Sequence, residues 1–255
     1  MTPSEAVALL AGTERLLVAL DFDGTVAPLQ DDPMASRMTA AAADAVAALV
    51  AAPETTVAFV SGRALRDLRV IAEHDDDSPV LLAGSHGVEH WPAEPDARAV
   101  TGGGLDDGGL IDRVEHAVAA LDGAWIERKA FGFALHTRLA SPDDARAAAQ
   151  AVDAIVAAAA PQWRRRTGHD VLEFSSRDEG KDAAVAHLRE ITRATAVLFA
   201  GDDVTDEDAL RSLGEGDVGV RVGAGESAAA VRVGDITELA AMLVRLARER
   251  TSARQ

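Results

Sequence analysis

Two aspartates, Asp21 and Asp23, stand where an apolar run stops. Leu16-Leu17-Val18-Ala19-Leu20 precedes them, and Gly24 and Thr25 follow. An uninterrupted run of this length predicts a strand covered on both faces, as in a parallel sheet. In open α/β sheets, ligands sit beyond the carboxyl ends of such strands. Two carboxylates there are costly unless they bind a cation or share protons. A helix cap or turn needs only one acid. The spacing does not suit a calcium loop, whose glycine stands at about the sixth position, because Gly24 is the fourth residue counted from Asp21. A carboxylate can attack phosphorus and form an aspartyl phosphate. A second acid two residues on can protonate the leaving oxygen and then activate water. Magnesium would neutralise the repulsion between carboxylate and phosphate.

Three other groups join this pair. Asp202, Asp203 and Asp206 follow a second apolar run, Ala196–Ala200, and Gly201. Acids at a helix start complement its dipole, which alone would account for them. An adjacent parallel strand would bring them to Asp21, however, and that predicts Asp202 as a magnesium ligand, with Asp203 and Asp206 behind it or as weaker ligands. Ser61-Gly62-Arg63 closes a third run, Thr56–Val60. A serine hydroxyl and N–H groups at a helix start can hold a phosphate. Finally, of 25 basic residues only Lys129 and Lys181 are lysines. A compact ammonium is not interchangeable with the planar fork of arginine. Lys181 is accordingly read as neutralising the transferring phosphoryl group, against the plain alternative of a solvated surface lysine.

The elements needed to position these residues are legible. A helix is expected over residues 4–15, before the first strand. The alanine-rich stretch 39–52 is a second helix, stopped near Pro53. Another helix follows Arg63 through about His74, and Val80–Ala83 is a strand ending in Gly84-Ser85-His86-Gly87-Val88-Glu89. Thr205-Asp206-Glu207-Asp208 has the pattern of a capping box. Val218–Val222 is a fifth strand, and Ile236–Arg250 is a closing amphipathic helix. Strands separated by helices imply βαβ units and a parallel sheet. The middle differs. Glycine-rich Thr101–Gly104 and Asp107–Gly109 form a flexible connection. A helix near 110–121, strands near 124–128 and 131–137, a helix over 142–160 and strands near 162–167 and 170–174 follow. Ser141 is the N-cap of that second helix, Pro142 its N1 residue and Asp144 the partner in the box. This αββαββ order predicts a small antiparallel sheet with helices on one face. The expected fold class is therefore α/β: a parallel, Rossmann-like core sheet flanked by helices, with an inserted α+β domain. The expected core is 1–103 and 176–255, and the insert is 104–175.

Composition narrows the partners. The 255 residues suffice for one large or two modest domains. A net charge of −17 argues against nucleic acid and anionic membrane. An anionic small substrate remains open, because a metal ion or a few cations can outweigh the global field locally. With no cysteine there is no disulfide framework or thiolate metal site. No segment is apolar for the length of a bilayer span. The Ala6–Ala11 run lacks the basic flank of a signal peptide. A soluble cytoplasmic protein is expected.

The ordered set Asp21-Phe22-Asp23-Gly24-Thr25, Ser61, Lys181 and Gly201-Asp202-Asp203 resembles the four motifs of the haloacid dehalogenase superfamily of phosphohydrolases across the whole core. The resemblance implies Asp21 as nucleophile, Asp23 as acid and base, and magnesium held by Asp21, Asp202 and the main-chain carbonyl of Asp23. The insert is similar to that superfamily's C2-type cap. Within it the chain most resembles the trehalose-6-phosphate phosphatase family, through Ser61-Gly62-Arg63, Gly84-Ser85-His86-Gly87 with Glu89, Ile126-Glu127-Arg128-Lys129, His136 and Arg138, and Gly168-His169-Asp170 with Glu173. That likeness assigns phosphate or sugar contact to Ser61, Gly62, Arg63, Glu127, Lys129, His169 and Glu173, with Arg138 in support. The chain departs from the family pattern at Ser85, Thr137 and Asp182, where asparagine, an aromatic residue and glycine are frequent.

The expectation is thus magnesium-dependent hydrolysis of trehalose 6-phosphate in trehalose biosynthesis, by a monomer working beside a separate trehalose-6-phosphate synthase. The competing expectations are a phosphatase for a sucrose, mannosylglycerate or hexose phosphate, and a non-catalytic sugar-phosphate-binding protein. A mutase would be signalled by stimulation with glucose bisphosphate.

Overall fold

The computed structural model describes residues 1–93, 108–129, 131–168, 170–176 and 180–254. The chain divides into two compact units, Met1–Asp96 with Glu179–Gln255, and Ala97–Asp178. His169, the glycine-rich stretch 101–107 and residues 177–179 lie outside the described residues.

The first unit runs α1 (Pro3–Ala11), β1 (Leu16–Leu20), α2 (Ala40–Val50), β2 (Thr55–Val60), α3 (Leu65–Ile71), β3 (Leu81–Gly84) and β4 (Glu89–Trp91) before the insert. In the insert lie α4 (Leu110–Val118), β5 (Trp125–Lys129), β6 (Gly132–His136), α5 (Pro142–Ala159), β7 (Arg164–Gly168) and β8 (Val171–Ser175). The first unit resumes with α6 (Lys181–Thr192), β9 (Ala196–Gly201), α7 (Glu207–Ser212), β10 (Val218–Val222), β11 (Val231–Val233) and α8 (Ile236–Ser252).

Its sheet has the order β11-β10-β9-β1-β2-β3-β4. The first six are parallel neighbours and β4 is antiparallel to β3. The α/β architecture is as the sequence predicts. β4 and β11 are additions: three-residue edge strands leave no periodicity to read. Alternation along β1 explains its unbroken apolar run. Leu16, Val18 and Leu20 enter one core with α1, α2, α3 and α8. Leu17 and Ala19 enter a second core with α6 and α7. Covering both faces this way is what a parallel sheet requires.

Several ends differ from expectation. α1 stops at Ala11, where Gly12 is the C-cap, rather than running to residue 15. α3 ends at Ile71 rather than near His74, with Ala72 as its C-cap. The capping box before α7 is formed by Asp203 and Asp206, not by Thr205 and Asp208. The chain first makes a short 3₁₀ turn, which moves the cap back by two residues.

In the insert, the sheet order is β5-β6-β8-β7, antiparallel throughout. Phe133, Leu135, Leu172 and Phe174 pack on α4 and α5 as its core. Ser141 caps α5 by accepting from the Asp144 N–H. Asp144 returns to the Ser141 hydroxyl (2.8 Å), so the box closes on the side chain rather than the main chain.

Candidate active site

Strand alternation aims the first acid. Leu17 and Ala19 face α6 and α7, so Asp21, two residues on, falls on the same side. Its N–H continues the ladder to the Ala200 carbonyl at 2.9 Å. α6 begins there with Lys181. The Lys181 Nζ donates to Asp21 Oδ1 at 2.5 Å and to Asp206 Oδ1 at 2.6 Å. All three side chains are buried. The second oxygen of Asp206 accepts from the N–H groups of Asp202 and Asp203, both at 2.9 Å. Asp206 therefore carries three charged or dipolar donors and anchors the lysine. Gly201 makes room for it, since a Cβ there would lie 2.2 Å from the Asp206 Cγ.

Burial pushes the Asp21 carboxyl well up. Lys181 opposes the rise, and Asp206 and Asp202 add to it. Burial alone would lower the Lys181 ammonium, but Asp206 and Asp21 outweigh it and hold the group protonated. Asp202 is pushed up to about 6 by burial and then by Asp206.

Asp202 comes close because residue 24 has no side chain. Gly24 has φ +80°, and a Cβ on it would sit 2.0 Å from Asp202 Oδ2. Thr25, fully buried, directs its hydroxyl between Asp21 Oδ2 (3.3 Å) and Asp202 Oδ1 (3.4 Å). One oxygen each of Asp21, Asp202 and Asp206 lies within 4.8 Å of the others. Asp206 is already saturated by Lys181 and two main-chain donors. Asp21, buried, and Asp202, half-buried, remain as two acids whose repulsion and desolvation favour a hard, oxygen-seeking dication between them. The donor set fits magnesium.

Asp23 is bonded on both oxygens. Arg63 Nε donates to Oδ2 at 2.5 Å, Arg63 Nη2 to Oδ1 at 2.8 Å, and the Ser36 hydroxyl to Oδ1 at 2.8 Å. The fork is bidentate, the strongest arrangement of this pair. Arg63, expected among the substrate contacts, sets its fork on Asp23. Ser36 escaped the sequence reading because it sits in a Pro33-Met34-Ala35 turn with no pattern around it. Ser61 is buried, and its hydroxyl accepts from the Arg63 N–H at 3.2 Å. A Cβ at Gly62 would lie 2.6 Å from the His86 ring, so that glycine admits the imidazole. Glu89 accepts from the Leu65 N–H (3.0 Å) at the start of α3 and from the Ser85 hydroxyl (2.5 Å). Asp203 is braced through its carbonyl by Arg221 at 3.0 Å.

In the inserted unit, residues 125, 127 and 129 of β5 share one face, opposite the α4–α5 core. Register sets Glu127 beside Ala134, and Ala134 beside Glu173 and then Arg166. Lys129 Nζ donates to Glu173 Oε2 at 3.0 Å. His136 Nε2 lies 2.8 Å from Glu127 Oε2. Burial would raise the Glu127 carboxyl, but the His136 bond and Lys129 bring it below its ordinary value. Three of the expected sugar contacts, Glu127, Lys129 and Glu173, therefore lie on one polar sheet face. Arg138 is exposed in the turn after β6. Buried Arg166 on the same face was not anticipated, because Arg164-Arg165-Arg166 reads as a solvated basic run.

Comparison with known proteins places this geometry in context. Residues 19–235 match the family described as trehalose-phosphatase. The chain is 33% identical over 234 residues to the trehalose-phosphate phosphatase of Mycolicibacterium paratuberculosis, covering 85% of this chain and 57% of that protein. It is 34% identical to that of Mycobacterium ulcerans, over 82% of this chain and 54% of the relative. The chain thus spans little more than half the length of these curated relatives. Its fold is similar to that of the Candida albicans trehalose-6-phosphate phosphatase C-terminal domain, with a TM-score of 0.82, 20% identity and 96% of each chain covered.

Proposed function

Because the chain belongs to the trehalose-phosphatase family, we propose that it hydrolyses trehalose 6-phosphate to trehalose and phosphate. What supports the reading most is the buried Asp21–Lys181–Asp206 cluster at the carboxyl edge of the sheet, with Asp202 against Gly24. In this mechanism Asp21 attacks phosphorus through a carboxylate oxygen, and the bond from phosphorus to the sugar oxygen breaks. Asp23 gives a proton to that departing oxygen. The same carboxylate then takes a proton from the water that attacks phosphorus, which releases phosphate and restores Asp21. Arg63 and Ser36 hold Asp23 in place between the two steps. Lys181, fixed by Asp206, sets the Asp21 oxygen and offsets negative charge on the transferring group. Magnesium bound by Asp21, Asp202 and the Asp23 main-chain carbonyl would neutralise phosphate charge.

The division into core residues 1–103 with 176–255 and cap residues 104–175 is part of the proposal. The core carries the hydrolysis, and Glu127, Lys129, Glu173 and His169 of the insert select the sugar, with Arg138 in support. Ser61 and Gly62 offer main-chain and hydroxyl groups to the phosphate. Among the described residues no helix is long and apolar enough to cross a membrane. A cytoplasmic role beside a separate synthase accords with the reading.

The test is phosphate release with magnesium from trehalose 6-phosphate, sucrose 6-phosphate, glucose 6-phosphate and a small aryl phosphate. Strong preference for the first is expected. Equal slow rates on all four would discard the substrate while keeping the chemistry. No release from any of them would discard hydrolysis itself.

A further inference from the structure

The polar face of the inserted sheet ends in an aromatic pair that the charged residues do not explain. Trp125 and His136 are direct cross-strand partners. Their rings stack with centroids 4.4 Å apart and planes 11° from parallel. The His136 ring is held by Glu127 at 2.8 Å, so the platform under the indole is fixed. Trp125 nonetheless remains 39% exposed. It stands on the edge strand β5 of its sheet, with no further strand beyond it among the described residues. On the same side of the sheet, two residues further along β5, is Glu127, followed by Lys129 with Glu173.

A pyranose ring has a rim of hydroxyls and flat patches of C–H bonds. A site for it can use carboxylate acceptors and ammonium donors beside an aromatic face. We infer that the stacked Trp125–His136 pair is a platform for the C–H face of one sugar ring, with Glu127, its same-face neighbour on β5, meeting that ring's hydroxyls and the Lys129–Glu173 pair lying further along the same sheet face. This rests on the sugar-phosphate reading above and adds Trp125 as a specificity-determining residue. It makes the insert favour a disaccharide phosphate over a monosaccharide phosphate.

Two measurements test it. The first is tryptophan emission during titration with trehalose, for the unaltered protein and for Trp125→Phe. A saturable change that disappears in Trp125→Phe is expected. No change, or the same change in both proteins, overturns the platform. The second is the ratio of kcat/KM for trehalose 6-phosphate to that for glucose 6-phosphate. Trp125→Ala should reduce this ratio about tenfold, and Trp125→Phe, which keeps an aromatic ring, should keep it within about threefold. An undiminished ratio in Trp125→Ala overturns the platform while leaving the hydrolysis reading intact. A protein without preference for trehalose 6-phosphate, whose Trp125 emission still responds to trehalose, would overturn the substrate reading and retain the platform.

Discussion

Asp23 has both carboxylate oxygens bonded, by the Arg63 fork and by Ser36. In the proposed mechanism this group takes up and returns a proton, and three donors hold it in one orientation. The arginine contributes two of the three, and the pair is only about one-fifth exposed on each side. Arg63→Ala should therefore lower kcat by about 10- to 100-fold, in the range ascribed to a misplaced acid–base group. Arg63→Lys, which restores the charge but not the fork, should recover part of it. Ser36→Ala should cost only a few-fold, because one of three bonds is lost. Steady-state phosphate release on the three variants, with Asp23→Asn as the reference for lost acid–base function, measures the series. Equal activity of Arg63→Ala and the unaltered protein would show that the contact does not position Asp23.

At the scale of elements, two features carry distinct expectations. The turn after β1 works because Gly24 adopts φ +80° and leaves Asp202 room. Gly24→Ala meets both a strained backbone and an impossible contact, so the turn must move. A stability loss of about 1–2 kcal/mol is expected from the backbone alone, together with weakened magnesium binding. Calorimetric titration with magnesium and a thermal melt of the variant read the two effects separately. α8 is pinned differently. The fully buried Arg250 donates to the carbonyls of Leu10 (2.8 Å), Thr13 (3.1 Å), Pro53 (3.2 Å) and Glu54 (2.9 Å), and to the hydroxyls of Thr13 and Thr55. It satisfies the carbonyl end of α1 and the approach to β2 at once. Arg250→Leu removes this whole set of bonds at once and should lower stability by about 3 kcal/mol, seen as a fall in Tm of roughly 6–12 °C.

For the whole molecule, the acidic cluster links stability to pH, and the proposed magnesium site would add a dependence on metal. Asp202 is raised from 3.8 to about 6 by burial and by Asp206, and burial moves Asp21 in the same direction. A raised acid binds its proton more tightly in the folded state. Its contribution to stability is complete below the ordinary carboxylate range and is lost as pH rises through about 6. Magnesium requires the ionised form, so its stabilisation has the opposite trend. Thermal melts with chelator and with excess magnesium should differ by several degrees near about pH 7.5 and converge near about pH 5. A constant difference at both pH values would exclude this cluster as the magnesium site.

Much of this protein is written along the chain itself. Alternation in Leu16–Leu20 predicts a strand buried on both faces, and the same alternation, continued, aims Asp21 toward α6 and α7. The αββαββ order of the insert and the cap of α5 at Ser141 are likewise local, set by periods of two and 3.6 residues. The strand-end motifs mark the sheet edge before any distance is known. What alternation cannot supply is which side chains meet across the topology. Arg63 reaches Asp23 over 40 residues, Lys181 reaches Asp21 over 160, and Thr25 approaches Asp202 over 177. Only the packed strands decide that Arg63 serves an aspartate, that Asp206 anchors the lysine, and that Gly24 must be bare. Trp125 is equally silent in the sequence, because its meaning comes from β6 placing His136 beneath it. Local chemistry determined the parts and the edge where they gather. The tertiary fold decided their pairing, because a pair contact depends on the positions of two elements and neither one's sequence contains the other's.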